Sequence, residues 1–378
     1  MSSAEQFYEQ LQQIFSNRDN QVLEFEIVPP AFGSFLQDGN SIGIGKKPLA
    51  QAFIIARQKF FCQASGAEVG RAGAESGVQN GASGDGFTDD CAIATEIMLL
   101  FDCEHLTACN WRKRRIAALM EGQSCMDTSQ KERHARLIEL LQTERTLMAT
   151  YLCSRLHRHT KSPTLWHHRF WVVKQLVMIQ YGDCARDVRI REAVRGLLED
   201  EFEVVLRAAE LHPRNYYAFS YMRQLHVTLS QHLEKFELVG DDTDDCPSVL
   251  ARWMVDRCQR WCLTEPRDIS GWTFLLYILD AASSEEMQRD TISKVVQFAL
   301  HVGWEGESLW TFIDLAARKF PVLQTLQSFG LLGNDGDSGM LVPGGKTSTA
   351  TFIFPKSWRS WSTRARTLWS RDQVREDA

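Results

Sequence analysis

The chain has 378 residues, 44% of them hydrophobic and 24% charged, with a formal net charge of −6. Such a chain can bury a sizeable core as one large domain or two, and its acidic balance argues against a dedicated nucleic-acid binder. No apolar run approaches the roughly 20 residues that cross a bilayer. Ten cysteines without a CxxC pair, behind no signal-peptide pattern, predict a reducing, cytoplasmic setting.

Residues 1–62 are predicted to form an N-terminal helical segment. Phe7, Leu11, Ile14 and Phe15 share one helical face, and Ser3 with Gln6 has the spacing of a capping box. Leu23, Phe25 and Ile27 alternate with Glu24 and Glu26 before Pro29 and Pro30, which predicts a brief extended stretch closed by a turn. A further helix is predicted from Pro48 to Phe61. The next segment, 63–89, is predicted to be a disordered insert, because residues 64–86 hold seven glycines among small and polar residues and bury too little apolar area to offset chain entropy.

From Asp90 the pattern is helical almost throughout. Leu137, Leu140, Leu141, Leu147, Met148, Tyr151 and Leu152 form one apolar stripe, opened by a candidate capping box at Ser129 and Glu132. Val194, Leu197, Leu198, Val205, Leu206 and Ala209 form a second stripe, and Leu250, Trp253, Met254 and Trp261 a third. Each ends just before a turn with a common plan: a basic residue, a helix-capping residue, and a large aromatic four positions after the cap. Lys161, Ser162 and Trp166 make one copy, Arg214, Asn215 and Phe219 another, Arg267, Asp268 and Trp272 a third, with the aromatics spaced by 53 residues each time. Ser162, Asn215 and Asp268 suit the N-cap, and Pro163 suits the first helical position. A weaker copy precedes these, with Cys109 at the aromatic position, and another follows at Ser308, Leu309 and Trp310. A hairpin of this kind buries only part of its apolar surface alone, so neighbours must stack. The prediction is an all-α superhelix, a solenoid of helical hairpin repeats, over residues 90–329. Residues 330–378 are predicted to be a flexible tail. In it Trp358, Trp361 and Trp369 are interleaved with Arg359, Arg364, Arg366 and Arg371, a pattern that also suits a short amphipathic helix docking on a partner or on the solenoid.

The string Lys161-Ser162-Pro163-Thr164-Leu165-Trp166-His167-His168-Arg169 resembles the repeat of protein prenyltransferase α subunits, as does Pro213-Arg214-Asn215-Tyr216-Tyr217-Ala218-Phe219. Thr107-Ala108-Cys109-Asn110-Trp111-Arg112-Lys113 is similar to the family's first repeat with its Trp replaced. The likeness covers roughly Asp90 to Leu315. Lys-Ser-Pro in place of Lys-Asn-Tyr looks most like the divergent branch of alpha-subunit repeat-containing proteins. The resemblance implies an α subunit that pairs with a separate β subunit, the Rab-type geranylgeranyl transferase one being the candidate. The β subunit would hold zinc and the isoprenoid diphosphate. The pair would transfer a geranylgeranyl or farnesyl group to a cysteine near a substrate protein's C-terminus.

The same resemblance assigns Lys161 to the leaving diphosphate, and a lysine at a helix N-terminus is suited to growing negative charge. Its alternative is an exposed turn lysine. Asn215, Tyr216 and Tyr217 fall in the diphosphate or substrate vicinity, with Tyr217 standing where the family often has a histidine. Cys109, Arg112, Trp166, His167, His168, Arg169, Phe219, Trp272 and Trp310 are read as structural residues of the repeats. Met222 and Leu275 replace the arginine that Arg112 and Arg169 keep three positions after the aromatic. Asp89 with Cys91, and Asp244 with Cys246, have Asp-x-Cys spacing but no matching histidine context, so no metal site is assigned. The cluster of Asp241, Asp242, Asp244 and Asp245 is read as a solvated loop. The second functional class that fits is a non-catalytic helical-repeat adaptor that keeps the scaffold without the chemistry.

Overall fold

The computed structural model describes residues 2–72, 88–121, 128–156, 158–181, 188–234, 246–332 and 357–376. The fold class is all-α, a solenoid of helical hairpin repeats. By contact the chain divides into two units, Met1–Ile190 with Glu203–Leu225 and Arg191–Phe202 with His226–Ala378.

The first unit opens with α1 (Ser3–Ser16), whose apolar face buries Tyr8, Leu11 and Phe15. Its capping box is Ser2 with Glu5, one residue ahead of the expected Ser3 with Gln6. The N-terminal segment is not purely helical. β1 (Glu24–Val28), β2 (Phe35–Asp38) and β3 (Ser41–Gly45) form a sheet in the order β1-β3-β2, with β1 parallel and β2 antiparallel to β3. Only Phe25 of β1 is fully buried, so the alternation read from the sequence is weaker than it looked. What holds the strand is tertiary: the Leu23 amide donates to Thr150 Oγ1 at 3.1 Å and the Phe25 amide to Ser154 Oγ at 2.9 Å. Those hydroxyls lie 127 and 129 residues away, beyond the reach of a local pattern.

α2 (Lys46–Ala72) continues past Phe61 into the segment expected to be a disordered insert, and α3 (Asp89–Phe101) begins at that segment's end. The intervening residues 73–87 lie outside the described residues. Thr88 caps α3 by accepting from the Cys91 amide. α4 (Leu106–Glu121) packs on α3, and α5 (Thr128–Leu152) on α6 (Pro163–Tyr181). Ile116, Leu137, Leu141, Val172 and Leu176 knit α4, α5 and α6 into one core. The capping box expected at Ser129 lies where side chains are outside the described residues. α7 (Val188–Leu211) and α8 (Tyr216–Glu234) contribute to both units. The loops around 181–187 and 240–247, with the Asp241–Asp245 cluster, lie largely outside the described residues.

In the second unit α9 (Cys246–Thr264) packs on α10 (Ile269–Ala281), and α10 on α12 (Glu307–Lys319), with α11 (Glu285–His301) between them in sequence. Asp268 caps α10 by accepting from the Ser270 and Gly271 amides, and Ser284 caps α11. The short α13 (Leu323–Ser328) follows, and then α14 (Trp358–Glu376) packs on α11 and α12. The flexible tail expected at 330–378 is therefore corrected over 357–376. Trp361 and Ala365 are buried there, and that apolar gain offsets the ordering entropy. Residues 333–356 lie outside the described residues.

Candidate functional site at the repeat turns

Three of the repeat aromatics use one device. The indole N–H of Trp166 donates to the Thr160 carbonyl at 2.8 Å, that of Trp272 to Pro266 at 3.0 Å, and that of Trp310 to Trp304 at 2.7 Å. In each case the carbonyl lies six residues back, so a buried ring both fills the hairpin seam and closes the turn before its own helix. Phe219 is equally buried but has no N–H to give. Its repeat closes the turn differently.

That difference shapes the corner around Lys161. The turn His159–Lys161 is a 3-10 turn, Ser162 caps α6 by accepting from the Leu165 amide at 3.1 Å, and Pro163 stands at the first helical position. Asn215, fully buried, accepts from the Ala218 amide at 3.2 Å through its side-chain oxygen and donates to the Thr160 carbonyl at 2.6 Å through its nitrogen. Thr160 thus receives Trp166 from its own repeat and Asn215 from the next. Lys161 returns the tie, its Nζ donating to the Pro213 carbonyl at 2.8 Å. Residues 52 positions apart in sequence meet at one half-exposed corner. Arg214, immediately after that carbonyl, has φ of 62°, a left-handed conformation that sharpens the turn into α8. Tyr216 and Tyr217 are exposed beside it, at 56% and 49%.

The corner therefore separates the assigned residues. Lys161, Tyr216 and Tyr217 reach solvent, whereas both polar ends of Asn215 are taken up by backbone, so Asn215 is removed from the direct ligand set. His167 is also exposed, and burial together with the nearby Lys113 charge lowers its pKa.

Behind the corner lies a buried ionic cluster. Arg112 donates through Nε to both Glu144 oxygens at 2.8 and 3.0 Å, through Nη2 to Glu144 at 2.5 Å and Glu96 at 3.3 Å, and through Nη1 to the Ala92 carbonyl and Thr95 Oγ1, each at 2.9 Å. Arg18 pairs with Glu96 at 2.6 Å, and His168 Nε2 lies 2.7 Å from Glu144. Burial opposes the Glu144 carboxylate, but the Arg112 charge and the His168 and Arg112 bonds outweigh it and hold its pKa well below the ordinary carboxylate range. Burial wins at His168, whose pKa falls. An ionised Glu144 accepts, so His168 Nε2 carries the proton and Nδ1 is bare. That nitrogen is buried without a hydrogen-bond partner. Arg169, the next residue along, donates to the Arg145 carbonyl at 2.7 Å. Reading the repeat gave Arg112, His168 and Arg169 as structural, but Glu144, Glu96 and Arg18 were missed. Only the odd presence of Glu144 among the apolar residues of α5 marks that partner in the sequence.

Cys109, Trp166, Phe219, Trp272 and Trp310 are all buried, the last two in the second unit. Trp166 packs on Tyr221 at 5.1 Å between centroids, and Trp272 on Phe312 at 5.0 Å, in each case the residue two positions after the next repeat's aromatic. Asp89 pairs with Arg115, and among the described residues no group of three or more His, Cys, Asp or Glu side chains gathers as a metal site would.

A comparison with family models matches residues 198–229 to the protein prenyltransferase alpha subunit repeat. The match runs from within α7 into α8 and includes the turn of Pro213, Asn215 and Phe219. No curated protein matches the chain. Through this one repeat the chain is similar to the protein prenyltransferase alpha subunit family.

Proposed function

We propose that the chain is the α subunit of a heterodimeric protein prenyltransferase and that Lys161 assists departure of the diphosphate when a geranylgeranyl or farnesyl group passes to a substrate cysteine. The observation that supports this reading is the half-exposed ammonium of Lys161, held in place by one carbonyl and keeping two N–H donors for an anion. As the carbon–oxygen bond to the isoprenoid breaks, charge builds on the diphosphate oxygens. A cation fixed beforehand stabilises that charge without reorganising. Tyr216 and Tyr217 extend the corner with two hydroxyl donors. Zinc and the isoprenoid tunnel are assigned to the β subunit, with the Rab geranylgeranyl transferase type as the proposed partner.

Co-expression with candidate β subunits tests this. A stable pair with transferase activity is expected, and Lys161→Ala is expected to lower kcat about 10- to 1000-fold, the range for losing one charge-stabilising group. Lys161→Arg keeps the tie to Pro213 and separates chemistry from folding. Pairing without activity, or no pairing, favours the adaptor reading instead, to which Met222 and Leu275 lend support by lacking the repeat arginine, whereas full activity in Lys161→Ala would remove Lys161 from the chemistry.

A further inference from the structure

The last described helix repeats the plan of the hairpin around Lys161. Lys356-Ser357 followed by Trp361 and Arg364 has the spacing of Lys161-Ser162 followed by Trp166 and Arg169: a basic residue, a cap residue, an aromatic four positions on and an arginine three beyond it. Trp361 and Arg364 lie on α14, which packs on α12 as α12 packs on α10. Trp361 is fully buried, its indole N–H donating to Asp314 Oδ1 at 2.8 Å. Arg364 donates to the Leu331 carbonyl at 2.9 Å, much as Arg169 does to the Arg145 carbonyl. We infer that α13 and α14 are a sixth repeat, shortened in its first helix, which closes the C-terminal end of the array by occupying the face of α11 and α12 on which a further hairpin would stack.

Three observations carry this beyond the spacing. Glu305 stands where other turns carry Lys161, Arg214 or Arg267, and the reversed charge has a partner in α14, since the Glu305 carboxylate accepts from the Arg366 guanidinium. Ser362 Oγ donates to the carbonyl of the same residue at 3.5 Å. Gly303 and Gly330, both left-handed with φ of 62° and 71°, lie against α14. An added Cβ would come within 3.3 Å of the Trp369 ring at the first and 3.2 Å of Leu368 at the second. Finally, apart from Trp369 the exposed side chains of α14 among the described residues are polar, with Arg359, Thr363, Arg366, Thr367 and Ser370 facing solvent, as the end of a stacked array requires. A partner is thereby denied the C-terminal end of the array as a stacking surface. This inference stands whether or not the chain takes part in prenyl transfer.

The test uses the full chain with a protease site inserted between Gly344 and Gly345. After cleavage the fragment bearing α14 is expected to co-elute with the remainder on gel filtration, and Trp361→Ala is expected to release it. Hydrogen exchange at residues 358–370 of the uncut chain is expected to be slowed about 100-fold or more relative to the isolated 357–376 peptide, because a lone helix of this length is marginal in water. If Trp361→Ala does not fold, Arg364→Ala reads the same contact. Separation of the wild-type fragment, peptide-like exchange in the uncut chain, or co-elution indifferent to both substitutions would overturn the inference.

Discussion

Arg112 and Glu144 are fully ionised where water does not reach, and each satisfies the other with help from Glu96, Thr95 and His168. Removing Glu144 leaves Arg112 with only the longer ion pair to Glu96 at 3.3 Å, a carboxylate that Arg18 already shares. Glu144→Gln is expected to cost about 3–5 kcal/mol in urea unfolding, because breaking a buried pair from one side is far more damaging than replacing the whole pair with apolar groups. The linkage to pH has a definite sign. Glu144 has a depressed pKa in the fold, so its contribution is present above about pH 4.5 and is lost as pH falls below it. His159, buried with Nε2 3.0 Å from the Leu99 carbonyl, is pushed down to about 4, chiefly by burial. Its folded form resists protonation, so stability is intact above pH 6.5 and falls towards pH 4, by at most about 3 kcal/mol for this one residue. Unfolding followed from pH 8 to pH 4 should show that decline, and His159→Gln should flatten it. A profile unchanged by the substitution would count against His159 as a source. The arginines at the repeat's fixed position were legible in the sequence, whereas their acidic partners were not, because no spacing links Arg112 to a carboxylate 32 residues away on the next helix.

At the level of single helices, the caps and the close approaches set what each hairpin tolerates. Asp268 accepts from two amides at the start of α10, and Asp268→Ala is expected to lower stability by about 1–2 kcal/mol. Gly271, one turn into the same helix, lies so near α9 that an added Cβ would fall 2.3 Å from a Trp261 ring carbon. Gly271→Ala must push a fully buried indole aside and is expected to cost about 1–3 kcal/mol, measurable as a lowered Tm, although alanine favours helices on its own. A neutral result would mean that Trp261 has room to move. Both positions lie inside the repeated turn, yet only the cap was visible as such. Glycine in a helix reads as a weakness until the facing tryptophan is known. The extended stretch of β1 was legible, but its anchoring was not, since it leans on the hydroxyls of Thr150 in α5 and of Ser154 just beyond that helix.

At the scale of the molecule, second helices of successive hairpins pack on one another within each unit. α4 and α6 pack side by side in the first unit, and α10, α12 and α14 follow one another in the second. The exposed corner of Lys161, Tyr216 and Tyr217 lies in the first unit. Tyr217→Ala is expected to weaken β-subunit pairing or raise the substrate KM by about 3- to 30-fold while leaving the Tm of the free chain within 1 °C, since surface positions away from caps and cores carry little stability. Titration of the pair by fluorescence anisotropy and a thermal melt of the free chain check both halves. A large loss of Tm would reassign Tyr217 to the hairpin itself.

By itself the sequence determined the hairpin plan: where helices start, which ring fills each seam, and where Lys161 stands, because caps and helical periods act within a few residues of each other. Only tertiary structure decided which of those residues are spent internally. Asn215 gives both polar ends to backbone, Thr160 and Pro213 become the joints between repeats, and the tryptophan-rich tail becomes a closing helix. The physical reason is that a polar atom's fate depends on which distant carbonyl or carboxylate arrives beside it, and that is settled by packing rather than by spacing along the chain.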